Sequence, residues 1–289
     1  VWEAIQKHEA EKKRSEQAES DAVAAAPPSP PADETPSADA PAVEPLPSAA
    51  REPAPVDPLV ASIEAQKAGY SDLLIVHEDR GSAITEEYRS LRTSLMAQCP
   101  NGRFCYMVTS SDPGEGKTIT SVNLALVMTE RVESRTIVVD ADLRRGRMAN
   151  LFNAEPAPGL AEMLRGEGGL ADTIRQTVYG NLSFIAAGKA GQKEVGELLG
   201  RPELEDVITD LRRRYDHVIF DTPPMNVASD AGIIGRIIGE ALVVVRMNRT
   251  RKESVEKAVR LLHAANVKVA GVVLTHRKYH IPNYLYRYA

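Results

Sequence analysis

Short apolar runs bounded by polar turns alternate along most of this chain with stretches in which apolar side chains return every three or four positions. The runs near 104 to 109, 135 to 140, 182 to 187, 217 to 221, 240 to 246 and 269 to 275 have strand length and are rich in Val, Ile, Leu and Phe, which predicts six buried strands. Between them the helical period takes over, as in Thr118 to Met128. Strand and helix in alternation predict an α/β fold: a doubly wound, mostly parallel sheet flanked by helices, with ligands at the carboxyl ends of the strands. Residues from about 73 to 276 are enough for one such domain with a sizeable core, and no internal repeat is visible.

Ahead of residue 73 the pattern disappears. Residues 27 to 58 hold eleven of the nineteen prolines, set among Ala, Ser, Asp and Glu. Such a composition buries too little apolar surface to offset its ordering entropy, so 21 to 72 is expected to be a Pro/Ala-rich, acidic, disordered linker. Residues 1 to 20 allow a short charged helix whose apolar side would hold only Trp2 and Ile5. Charge follows the same division: the first 58 residues carry −7, leaving +2 of the total −5 for the rest. The longest apolar candidate for a membrane span, Ile233 to Val245, is broken by Gly235, Arg236, Gly239 and Glu240, and the first residues show no apolar leader. The expected location is the cytoplasm. Cys99 and Cys105 fit a reducing compartment, Cys105 as a small buried hydrophobe of the first strand.

The most specific chemistry is Ser110-Ser111-Asp112-Pro113-Gly114-Glu115-Gly116-Lys117-Thr118, set between a predicted strand and a predicted helix. A glycine-rich turn there aims the backbone N–H groups of Gly114 to Thr118 at a helix N-terminus, where the dipole favours anionic oxygens. Lys117 supplies a point charge for the β/γ-phosphates and the Thr118 hydroxyl a ligand for Mg²⁺. The strict pattern wants glycine where this chain has Ser111. Two strand ends add carboxylates. Thr136-Ile137-Val138-Val139 runs into Asp140-Ala141-Asp142-Leu143-Arg144, and residues two apart on a strand share a face, so Asp140 and Asp142 are expected side by side at the phosphates. His217-Val218-Ile219-Phe220 runs into Asp221-Thr222-Pro223-Pro224, placing Asp221 as a further Mg²⁺ carboxylate. A lone Asp at a strand end can simply cap a turn; three beside one phosphate loop argue for a metal-nucleotide site.

After the last predicted strand the chain carries four of its nine tyrosines in its final eleven residues, Tyr279, Tyr284, Tyr286 and Tyr288, near Arg277, Lys278 and Arg287. Pro282 and the lack of helical period speak against a packed element, so 277 to 289 is expected to be a mobile, cationic, hydroxyl-bearing tail attracted to an acidic triphosphate site. An aromatic tail packed on the same or a neighbouring subunit is the alternative.

From about 75 to 289 these motifs together resemble the bacterial tyrosine kinases (BY-kinases) that accompany capsule and exopolysaccharide synthesis and export. Pro113 to Thr118 resembles that family's Walker A, Val138 to Arg144 its Walker A′, Ile219 to Pro224 its Walker B, and the tyrosines its autophosphorylation cluster. Glu86, Arg89 and Arg92, one charged stripe by their three-residue spacing, resemble the Glu-x-x-Arg-x-x-Arg helix that joins subunits in the family's ring, expected to be an octamer. The resemblance implies a P-loop fold like that of MinD and ParA, and transfer of the γ-phosphoryl group of ATP, with Mg²⁺, to tyrosines of a neighbouring subunit's tail. It implies nucleotide binding by Asp112, Pro113, Gly114, Glu115, Gly116, Lys117, Thr118 and Ile119. It further implies Asp140 as base, with Asp142 and Asp221 holding Mg²⁺ together with Thr118. It also implies a membrane-spanning polysaccharide co-polymerase as activator, a cognate tyrosine phosphatase, no nucleic acid, and a place at the inner face of the plasma membrane through that activator. Thr275 stands where many relatives have an adenine-facing Asn, and the tyrosine cluster is short. Two other readings use the same loop: a ParA/MinD-type partitioning ATPase, which usually has an early loop Lys where Ser110 to Asp112 stand, and a catalytically silent, ATP-bound export scaffold.

Overall fold

The computed structural model describes residues 69–277; the charged segment 1 to 20, the linker up to residue 68 and the four tail tyrosines lie outside the described residues. In chain order the elements are α1 (Ile75–Glu78), α2 (Ala83–Ala97), β1 (Phe104–Ser110), α3 (Lys117–Met128), β2 (Thr136–Asp140), α4 (Met148–Leu151), α5 (Leu160–Arg165) and α6 (Leu170–Thr173). Then follow β3 (Arg175–Gln176), β4 (Leu182–Ile185), α7 (Val195–Leu199), α8 (Glu203–Arg214), β5 (His217–Asp221), α9 (Asp230–Ile238), β6 (Glu240–Arg246), α10 (Lys252–Ala264) and β7 (Lys268–Thr275).

The seven strands form one sheet in the order β3-β4-β2-β5-β1-β6-β7, parallel throughout except where β3 runs antiparallel on β4. All six expected strands are present. The two-residue β3 is additional, because a pair as short as Arg175 and Gln176 leaves no periodic trace. The strand predicted over 182 to 187 stops at Ile185, since the Ala186 carbonyl turns away to accept the Leu160 N–H.

Both sheet faces are covered, which is why the central strands read as unbroken apolar runs. On one face α3 packs with Phe104, Tyr106, Val108, Val138 and Phe184; on the other lie α5, α7, α8 and α9 over Met107, Val139, Phe220 and Val243. Every residue of α3 from Thr120 to Met128 is buried, so this helix is apolar all round rather than striped. Its one embedded amide, Asn123, accepts from the Val76 N–H at 3.0 Å and donates to the Leu73 carbonyl at 3.1 Å, tying the start of the domain onto the core. Register brings the chemistry together: Asp140 lies opposite Asp221 across β2 and β5, and Asp221 opposite Val108 across β5 and β1. Three strand ends therefore meet at the N-terminus of α3.

Candidate active site

The loop between β1 and α3 turns through two residues in the left-handed region, Gly114 at φ +79° and Gly116 at φ +94°. A side chain at either would be strained, and this is the physical demand behind the glycines. The loop is braced from within and from outside. Glu115, which the sequence suggested as a phosphate contact, turns inward and is only 2% exposed; its carboxylate accepts the Asp112 N–H at 3.0 Å and the Thr250 hydroxyl. Its carbonyl accepts the Thr275 hydroxyl at 2.7 Å. Arg246 reaches the Gly114 carbonyl at 3.4 Å. Thr275, Thr250 and Arg246 come from the far end of the chain, and no motif pointed to them as loop supports. Pro113 and Gly114 are exposed, whereas Asp112, Gly116, Lys117, Thr118 and Ile119 are half-buried along the start of α3. Ser111, standing in the strict glycine position, is fully buried.

At the start of α3 the Thr118 hydroxyl donates to Asp221 Oδ2 at 2.6 Å, and Ser121 one turn on donates to Asp221 Oδ1 at 3.3 Å. The Lys117 ammonium lies 3.0 Å from Asp142 Oδ2 and 3.6 Å from Asp221 Oδ2. Burial works to lower the Lys117 pKa, but the Asp221 and then the Asp142 carboxylates outweigh it, so the net shift is upward and the charge is secured. Asp221 shifts up, chiefly through burial, with Lys117 and the Thr118 hydroxyl opposing. Ser121 was not anticipated; its place four residues after Lys117 on a helix beginning at the loop was the available signal.

Asp140 and Asp142 both act on Lys117, as expected, but not from one strand face. β2 ends at Asp140, and the chain then turns sharply. The Asp140 carboxylate accepts the backbone N–H of Asp142 at 3.2 Å and of Met148 at 3.0 Å, fixing the turn from beneath, while Asp142 swings to Lys117. Asp140 is 1% exposed, and burial first, then the Asp221 charge, push its pKa up to about 7. Behind this turn Asp230, also 1% exposed, holds Arg144 at 3.1 Å; nothing in the sequence drew attention to Asp230.

Three carboxylates thus gather around one ammonium and one hydroxyl. The excess negative charge and the hard oxygen donors suit Mg²⁺, which takes one or two protein oxygens and completes its shell with water and phosphate. Among the described residues no group of three or more His, Cys, Asp and Glu side chains forms a ready metal cage. Cys99 and Cys105 are both free thiols.

The stripe of Glu86, Arg89 and Arg92 lies on α2, and it is not simply solvated. Arg89 reaches Glu130, at the end of α3, at 2.7 Å and also pairs with Glu86; Arg92 reaches Glu130 at 2.6 Å and the Val127 carbonyl at 2.6 Å. Burial alone would raise the Glu130 pKa, but the two guanidiniums more than reverse it.

A glycine-rich loop at the head of a buried helix, with carboxylates from two neighbouring strand ends converging on its lysine and threonine, defines a P-loop nucleotide-binding domain of the MinD/ParA-like kind. A family model described as an AAA domain matches residues 107–247. The chain is 35% identical to the tyrosine-protein kinase ptk of Acinetobacter johnsonii over 65% of this chain and 26% of that protein. It is 29% identical to the putative tyrosine-protein kinase CapB of Staphylococcus aureus, over 73% of this chain and 92% of that one. Its structure resembles the kinase domain of the Escherichia coli tyrosine kinase ETK at 31% identity and a TM-score of 0.66, covering 72% of this chain and 83% of that one. The chain belongs to the bacterial tyrosine kinase family. It spans about a quarter of the length of the Acinetobacter relative and nearly the whole of the staphylococcal one. No helix among the described residues is long and apolar enough to cross a membrane.

Proposed function

We propose that the protein is an ATP-dependent protein-tyrosine kinase that phosphorylates the tail tyrosines Tyr279, Tyr284, Tyr286 and Tyr288 of neighbouring copies. The observation that carries this reading is the convergence of Lys117, Thr118, Asp142 and Asp221 within hydrogen-bond and ion-pair reach at one end of the phosphate loop, in a chain of this family. The amides of Gly114 to Thr118 bind the phosphates, and Lys117 leaves its carboxylates to neutralise charge on the β/γ-oxygens. Thr118, Asp221 and Asp142 are the residues that would hold Mg²⁺, which when bound supplies positive charge along the triphosphate. The tyrosine oxygen attacks the γ-phosphorus in line, the bond to the ADP oxygen breaks, and the phenolic proton passes to a carboxylate. Asp140, whose proton affinity burial has already raised, is assigned as that acceptor.

Around this site, Glu86, Arg89 and Arg92 join subunits into a ring, an octamer by family resemblance. A membrane-spanning activator of polysaccharide synthesis brings the ring to the inner face of the plasma membrane, and a tyrosine phosphatase resets the tail. Nucleic acid has no part in this reading.

The test is the intact mass of the purified chain after incubation with Mg-ATP, alone and with an activator's cytoplasmic segment, followed by phosphosite mapping. Added phosphates on Tyr279 to Tyr288 that vanish in Lys117→Met are expected. ADP release without phosphotyrosine under both conditions would replace the kinase reading with a partitioning-type ATPase.

A further inference from the structure

The loops after β2 and β4 flank an open cavity of about 590 Å³, lined by Arg144, Arg145, Gly146 and Arg147 on one side and by Gly188 and Lys189 on the other. Its size falls within the roughly 300–1,000 Å³ usual for small-ligand sites. No carboxylate lines it. Arg144 is engaged by Asp230, but Arg145, Arg147 and Lys189 are exposed and have no ion-pair partner among the described residues. Unpaired cations facing one cavity from both sides attract multiply charged anions, and guanidiniums in particular chelate phosphate oxygens.

The cavity adjoins the nucleotide site directly. Its first lining residue, Leu143, follows the Asp142 that holds Lys117. Beneath it, a Cβ on Gly146 would lie 3.1 Å from Asp140 Oδ2 and 2.2 Å from the Ala187 Cβ, so one layer of backbone separates the cavity from the reacting carboxylates. Only glycine allows that approach.

The chain's own tail indicates which anion fits. From His276 to Ala289 it carries Arg277, Lys278 and Arg287 and no acidic residue, so in its unmodified form a cationic cavity repels it. Each phosphotyrosine adds a charge of about −2 and three acceptor oxygens, which inverts that relation. Tyr284, Tyr286 and Tyr288 recur at every second residue. In an extended chain this sets neighbouring phenols about 7 Å apart on one side.

Resting on the kinase reading, we propose that this cavity is a phosphotyrosine subsite. It holds a tyrosine already phosphorylated on a neighbouring copy's tail, and so presents the next hydroxyl, two residues away, at the phosphate loop. The first phosphate on a tail is therefore the slow one, and the later ones follow faster.

Binding is measured by fluorescence anisotropy on the full chain carrying Lys117→Met, with labelled peptides spanning Tyr279 to Ala289, unmodified or phosphorylated at Tyr288. The phosphopeptide is expected to bind at least about tenfold more tightly, to weaken with salt, and to lose that advantage in Arg147→Ala/Lys189→Ala. Arg147→Lys/Lys189→Arg keeps the charge and restores most of it, which separates loss of the site from loss of fold. Equal affinity for the two peptides overturns the proposal. So does unchanged phosphopeptide affinity in the double alanine variant, or equal binding of an acidic peptide spanning residues 33 to 44. Because Lys117→Met reports binding without transfer, absence of phosphotyrosine in the parent chain would overturn the kinase reading separately from this one.

Discussion

Asp140 shows how burial converts an ordinary side chain into a pH-sensitive one. Its folded pKa is raised to about 7 from an ordinary 3.8 by burial and by Asp221. Below that ordinary value both folded and unfolded chains hold the proton, and up to about 7 only the folded chain does. Its contribution to stability is therefore full in acid and is lost as pH rises through that window. The thermal midpoint of the metal-free chain should fall, relative to that of Asp140→Asn, between about pH 4 and pH 7; parallel curves would refute the assignment. Lys117→Met, which removes the point charge but keeps a chain of similar length, should cost at least about a hundredfold in phosphotransfer. At this scale the motif residues were legible, but not their contacts. Asp140 and Asp142 share a motif and have different partners, because the strand ends between them.

Two elements reach the phosphate loop from a distance. The end of β7 supplies Thr275, whose hydroxyl bonds the Glu115 carbonyl and whose side chain lies 3.5 Å from where a Cβ of Gly116 would stand. Thr275→Val removes one hydrogen bond worth about 1 kcal/mol, so nucleotide affinity should fall about fivefold in a titration with a fluorescent ADP analogue. An unchanged affinity would mean that the loop holds its shape without β7. At the other end of α3, Glu130 is clasped by Arg89 and Arg92 from α2. A subunit contact made through the same guanidiniums must first release that carboxylate. Glu130→Gln should lower monomer stability by about 1 kcal/mol in a urea titration, and should lower the protein concentration at which the ring forms in light scattering. α2 was legible as a charged stripe, but Glu130, some forty residues on and alone in a polar turn, carried no sign of its partners.

At the scale of the whole molecule, the proposed phosphorylation of the tail has a consequence for the proposed ring. Once a cationic cavity holds one phosphotyrosine, phosphate accumulated on the remaining tail tyrosines would repel the acidic nucleotide site and loosen subunits that present tails to one another. Phe at 279, 284, 286 and 288 should therefore keep the ring assembled in Mg-ATP, while the parent chain dissociates; identical size distributions by light scattering would exclude phosphorylation as the switch. The sequence by itself determined the α/β alternation, the six main strands, the phosphate loop and the three strand-end carboxylates. These are written in local patterns, a period of two or 3.6, a glycine pair before Lys-Thr, an Asp where an apolar run stops, and local patterns survive in one dimension. Only the tertiary structure decided the sheet order, the short antiparallel β3, the inward turn of Glu115, the bracing by Thr250 and Thr275, the Arg144–Asp230 pair and the cationic cavity. Each of those joins residues dozens of positions apart or lies in a segment too short for periodicity, and it arises from strand register and loop packing that no stretch of sequence encodes alone.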